Sequence, residues 1–200
     1  MKILEKKIET ILSIGGGPIG AGWTSFFLSK GLKVKSYLHN RNEKEEFLQM
    51  VKSSLKVLLK KKEIKSILIN NFVIFYEIEK LSKRIDFVQE SAPEDLILKQ
   101  NLYKKLDNLL PKDVIIASST SGIKMTEIQK KMLNPERAIV AHPFNPPYLL
   151  KLVEISGGEK TSKKTINFSK KFFKELGKKP LIIKKEISGF IATRLQEALW

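Results

Sequence analysis

The segment ILSIGGGPIGAGW, Ile11–Trp23, carries Gly15, Gly17 and Gly20 in G-x-G-x-x-G spacing. An apolar run, Ile11–Ile14, precedes the glycines, and a helix-like run, Ile19–Leu28, follows them. Strand, glycine turn and helix in that order turn a common spacing into a dinucleotide-binding fingerprint. Gly15 permits the tight turn out of the strand, Gly17 lets backbone approach a pyrophosphate, and Gly20 lets the new helix close on the sheet. The free N–H groups at the start of that helix attract phosphate. Gly15, Gly17, Pro18, Ile19 and Gly20 are therefore the first candidate cofactor contacts.

Outward from this segment, strands and helices alternate. The first strand is expected over Lys7–Ile14 and its helix over Pro18–Lys30, where Ile19, Trp23, Phe26, Phe27 and Leu28 recur at helical spacing, with Gly31 as the stop. Leu32–Leu38 reads as the second strand, Asn42–Lys61 as a helix, Asn70-Asn71 as a break and Phe72–Tyr76 as a short strand. Ile85–Gln89 is the next strand, followed by a helix with Pro93 in its first turn that runs to Leu110. Val114–Ala117 and Ala138–Ala141 are the fifth and sixth strands, and Leu149–Ile155 is an apolar strand after them. This alternation predicts an α/β fold of Rossmann type, a doubly wound and mainly parallel sheet. Ligands in such sheets sit beyond the carboxyl ends of the strands.

Composition narrows the function. The chain has 200 residues, no cysteine and a formal charge of +16. Without cysteine there are no disulfides and no thiolate metal sites, and no metal is expected. No apolar run reaches membrane-spanning length, and the lysine-bearing N-terminus lacks the apolar core of a signal peptide, so a cytoplasmic protein with no membrane partner is expected. Arginine supplies only four of the 37 basic residues. Phosphate and base readers favour the arginine fork, and the lysines are spread along the chain, so no nucleic-acid partner is expected. A basic surface still favours anionic ligands such as dinucleotides or CoA esters.

The end of the second strand bears on the cofactor. NAD-preferring folds place an acid there for the ribose 2′-hydroxyl, yet the position is Leu38, followed by His39, Asn40 and Arg41. Arg41 could face a 2′-phosphate; alternatively, Asn40 or Glu43 touches the ribose. The residues leave NAD and NADP both open, with Asn40 and Arg41 as candidate contacts. Glu94, in the QESAPED turn beyond the fourth strand, is a further cofactor candidate.

Chemistry is sought at the remaining strand ends. His142 opens HPFNPPYLLKLVE after the sixth strand and, with His39, is one of two histidines. A neutral imidazole is the usual general base near neutral pH. If the strand carrying Glu154 turns back beside the sixth, Glu154 accepts from the ring and stabilises its cation. Ser121, in SSTSG, and Asn145 are candidate donors to a reacting oxygen. The serine-rich turn reads equally as a helix start, with Thr126 or Ser121 as its cap.

Taken together, GGGPIGAGW, ESAPE, ASSTSG, HPFNPPYLLKLVE and SGFIATRL resemble the L-3-hydroxyacyl-CoA dehydrogenase superfamily, and within it the carnitine 3-dehydrogenase branch. The resemblance implies NAD-dependent oxidation of a 3-hydroxyl in a small 3-hydroxy acid or acyl-CoA substrate. It implies His142 as general base, Glu154 as its partner, and Ser121 and Asn145 as substrate contacts. Thr193 stands where the acyl-CoA branch has Asn and the carnitine branch usually Asp. Members continue with a helical domain that closes the cleft and forms the dimer. The expected division is therefore a dinucleotide-binding domain over residues 1–186 and the first helix of a shortened helical domain over 187–200. The apolar residues of Gly189–Trp200 would be partly exposed, leaving a homodimer or a complementing helical chain as expected partner.

Overall fold

The computed structural model describes residues 7–64, 71–80 and 84–199. The break at Asn70 and the helix end at Trp200 lie outside the described residues. One sheet of eight strands organises the chain: β1 (Thr10–Ile14), β2 (Lys33–Tyr37), β3 (Phe72–Phe75), β4 (Phe87–Glu90), β5 (Ile115–Ser118), β6 (Ala138–Pro143), β7 (Leu152–Gly157) and β8 (Lys179–Ile183). Their order is β3-β2-β1-β4-β5-β6-β7-β8, so the winding reverses between β1 and β4 and opens a crevice there. All neighbours run parallel except β6 and β7, which are antiparallel. The expected Rossmann-type class is the observed one.

Six α-helices are described: α1 (Pro18–Ser29), α2 (Lys44–Lys60), α3 (Leu96–Leu109), α4 (Met125–Ile128), α5 (Lys163–Glu175) and α6 (Ala192–Ala198). Central strands are covered on both faces, which is why they read as continuous apolar runs. Phe87, Ile115, Ala117, Ile139 and Val153 face α1, α2 and α5, where Trp23 stacks on Phe27 at 5.3 Å and leans on Phe173. Leu12, Val88, Ile116 and Val140 face the other layer, with Tyr103 and Leu106 of α3, Met125 and Ile128 of α4, and Phe190.

Several boundaries differ from the sequence expectation for local reasons. Pro93 lies ahead of α3 rather than in its first turn, because Asp95 caps the helix, its Oδ1 accepting from Leu98 N–H at 2.8 Å. Neither Thr126 nor Ser121 caps α4. Lys124 holds the cap position, and the distant Glu186 carboxylate accepts from the N–H of Thr126 at 3.0 Å and from its hydroxyl at 2.5 Å. The stretch after Thr161 holds α5 and β8, two elements beyond those expected from the sequence. The local signals are present: Ser162 accepts from Thr165 N–H at 3.1 Å, Thr165, Ser169, Phe172 and Phe173 share a buried face, and Gly177 takes φ +87° after the helix.

Candidate active site

The glycine turn leaves β1 with Gly15 at φ +113°, held by its N–H on the Tyr37 carbonyl at 3.1 Å. A Cβ on Gly15 would stand 2.3 Å from the Ser91 carbonyl oxygen, and one on Gly20 would stand 2.1 Å from the Gly15 carbonyl oxygen. Both positions exclude a side chain because backbone approaches backbone. Gly17 differs: a Cβ there meets nothing within 4 Å, so the turn faces open space. Gly17 is the N-cap of α1 with Pro18 just inside, and the first N–H groups of any helix lack partners within it. An open front, bare backbone and a helix start fit a pyrophosphate.

Beyond β2, Leu38 is fully buried, so the position where an acid was sought belongs to the core. Asn40 Oδ1 accepts from Asn42 N–H at 3.0 Å, and the Arg41 guanidinium lies over the Tyr76 ring, 4.7 Å from its centroid. The group nearest the turn here is Glu43, whose Oε2 would stand 2.3 Å from a Cβ on Gly16.

A cleft of about 880 Å³ opens from Ile19 across the carboxyl ends of β4, β5 and β6 to α6. Glu94, Ser121, His142, Asn145 and Glu154 all line it. The antiparallel return of β7 puts Glu154 opposite His142 in register, and Glu154 Oε2 lies 2.9 Å from His142 Nδ1. The carboxylate side chain is 1% exposed and the imidazole 12%. Burial pushes the Glu154 carboxyl up. The ring, together with the Ile191 and Ala192 N–H groups on Oε1 at 3.0 and 3.2 Å, more than offsets this and holds it below the usual carboxylate range. An ionised Glu154 assigns the proton between them to Nδ1 and leaves Nε2 as the ring's free nitrogen.

Glu94 holds the Ser121 turn. Its Oε1 accepts from Thr120 Oγ1 at 2.5 Å and from the N–H groups of Ser121 and Gly122 at 3.0 and 3.1 Å. Beneath it, buried Lys99 donates to Glu90 Oε1 at 2.6 Å, and Ser118 donates to Glu90 Oε2 at 2.7 Å. Asn145 precedes a cis bond to Pro146, and Thr193 Oγ1 donates to the Ser121 carbonyl at 3.4 Å. Lys178, unforeseen in the sequence, crosses beneath the 143–150 loop. Its ammonium donates to the carbonyls of Pro147 and of Leu150 and lies over the Phe26 ring at 4.1 Å.

The doubly wound sheet, the open glycine turn and the cleft at its switch point define the dinucleotide-binding α/β class. The family model described as 3-hydroxyacyl-CoA dehydrogenase, NAD binding domain, matches residues 10–187, and the chain belongs to that family. Its cofactor is therefore NAD, the choice that Leu38 and Arg41 had left open. L-carnitine dehydrogenase of Oceanobacillus iheyensis is 41% identical over 96% of the chain, and that of Streptomyces coelicolor is 37% identical over 98%. The chain spans 63% and 61% of their lengths. A solved 5-formyl-3-hydroxy-2-methylpyridine 4-carboxylic acid 5-dehydrogenase, an NAD+ dependent dismutase, superimposes with a TM-score of 0.90 at 30% identity, over 96% of this chain and 63% of that one. Among the described residues no His, Asp or Glu cluster suits a metal ion, and no helix is long and apolar enough to cross a membrane.

Proposed function

We propose that this chain carries the NAD-binding and proton-transfer half of a dehydrogenase that oxidises the 3-hydroxyl of an L-3-hydroxyacyl-CoA or a related 3-hydroxy acid such as carnitine. The observation that carries the reading is the 2.9 Å pair of His142 Nδ1 and Glu154 Oε2 on the wall of the cleft. Bound NAD supplies the acceptor for the hydride leaving C3. His142 Nε2 takes the hydroxyl proton as that hydride departs. Glu154, kept ionised by the Ile191 and Ala192 N–H groups, holds the ring and stabilises its cation. Ser121 and Asn145 hold the substrate oxygen. The carnitine-like substrate has a further argument: no lysine or arginine is among the described cleft residues, so CoA phosphates find no cation on its walls, whereas Glu94 places on them a carboxylate whose second oxygen lies 3.8 Å from the buried Lys99 ammonium. The dinucleotide-binding domain of this reading covers residues 1–186, with a helical unit starting at 187. His142→Ala is expected to keep NADH affinity and to lose about 10²–10⁴-fold in kcat, assayed with carnitine and with a 3-hydroxyacyl-CoA. Unchanged turnover removes the base from this scheme.

A second reading rests on α6. Ile191, Leu195 and Leu199 are 41%, 60% and 84% exposed, an apolar face suited to further helices from a second copy or a complementing chain. On this reading the chain binds NAD but turns over only once that face is covered.

A further inference from the structure

Neither Ser91 nor Ser119 is among the candidate site residues named from the sequence, yet they form the polar floor between the glycine turn and the cleft. Ser119 Oγ has three neighbours: Trp23 Nε1 at 3.1 Å, Gln89 Nε2 at 2.8 Å and Ser91 Oγ at 2.8 Å. The indole N–H only donates. The Gln89 amide nitrogen is fixed on this side because it also approaches the Ala141 carbonyl at 3.4 Å. Two donors fill both lone pairs of the Ser119 oxygen, so its single proton goes to Ser91. The reverse direction would crowd three donors onto one hydroxyl oxygen. Ser91 Oγ thus accepts from Ser119, and its own proton has no further acceptor among the described residues. Ser91 lines the cleft, and its backbone carbonyl abuts Gly15.

We propose that the Ser91 hydroxyl, oriented by the Trp23–Gln89–Ser119 relay, is a donor to the ribose on the nicotinamide side of the dinucleotide. Position selects the ribose. Ser91 follows β4, one strand along from the glycine turn on the way to His142 on β6, where a dinucleotide crossing the strand ends passes from pyrophosphate to nicotinamide. Chemistry agrees, since a ribose hydroxyl oxygen accepts from a neutral donor. Ser119 acts at one remove, as the positioning residue that sends the Ser91 proton outward. The inference rests on the NAD reading above and adds a contact to it.

The test is calorimetric titration of wild type, Ser91→Ala and Ser91→Thr with NADH, ADP-ribose and ADP. ADP-ribose keeps the terminal ribose, and ADP lacks it. Ser91→Ala is expected to weaken NADH and ADP-ribose by about 3- to 10-fold, the effect of one ordinary hydrogen bond, with ADP unchanged and Ser91→Thr near wild type. Equal NADH affinity in wild type and Ser91→Ala overturns the contact while leaving the cofactor reading intact. An equal loss for ADP overturns the assignment to the ribose. A wild-type chain that binds none of the three overturns both this contact and the reading beneath it.

Discussion

At the scale of single residues, Gly17 and Lys178 make opposite demands. Gly17 has an ordinary φ of −78° and empty space where a Cβ would go, so the folded chain itself does not require glycine there. Gly17→Ala is expected to leave the melting temperature within a degree or two and to weaken NADH binding at least tenfold. A stable variant with wild-type affinity would mean that the pyrophosphate does not run over this turn. Lys178 is required by the fold at an electrostatic cost. Burial, then the charge of Lys30, pushes its ammonium down to about 7, against the weaker pull of Glu63. Between pH 7 and about 10.5 the unfolded chain keeps a proton that the folded chain has released, so this group makes stability rise with pH across that window. Lys178→Met removes this titrating group. Urea midpoints at pH 7 and 9.5 should rise less, or fall more, in the variant than in wild type, and parallel behaviour would contradict the shift.

Elements are tied to one another by residues distant in sequence. Arg137, fully buried ahead of β6, donates from Nε and Nη2 to Asp107 Oδ1 at 3.1 and 2.7 Å and also reaches the carbonyls of Pro111 and Val114. It fastens the end of α3 and the following turn to β6. Burial raises the Asp107 carboxyl, but the guanidinium and the Asn134 and Leu133 N–H groups bring it below its usual range. Arg137→Met leaves that carboxylate buried without its cation, and denaturant unfolding should show a loss of about 3–5 kcal/mol. A loss under about 1 kcal/mol would mean that water reaches Asp107 freely. How legible such elements were depended on their register. The strands of one face and the helix after Gly20 follow from apolar spacing alone. The cap of α4 does not, because Glu186 arrives from sixty residues away. α5 carries its own signals in Ser162, Phe172 and Gly177, but its lysines interrupt the apolar spacing and dilute the buried face between them.

For the molecule as a whole, the exposed face of α6 and the cleft are linked through Glu154, which holds His142 with one oxygen and the entry to α6 with the other. Phe190, just ahead of α6, is fully buried, so the helix is anchored at its start while Leu195 and Leu199 stay exposed along the open wall of the cleft. Replacing both leucines with glutamate should remove concentration-dependent association, measured by sedimentation velocity. Association that persists in the double variant would assign the contact to another surface. The charge of +16 has no single basic groove to match it in the cleft, whose described walls lack lysine and arginine.

The glycine turn, the alternation of strand and helix, and the presence of a histidine at one strand end were determined by the sequence alone. Each rests on spacing within a few residues, where backbone sterics and side-chain periodicity act locally. The meeting of His142 with Glu154, the capture of Arg137 by Asp107 and the direction of the Ser91 proton were decided only by tertiary structure. They depend on β7 turning back beside β6 and on which hydroxyl finds its lone pairs filled. Those outcomes are set by hydrogen-bond register between segments far apart in the chain.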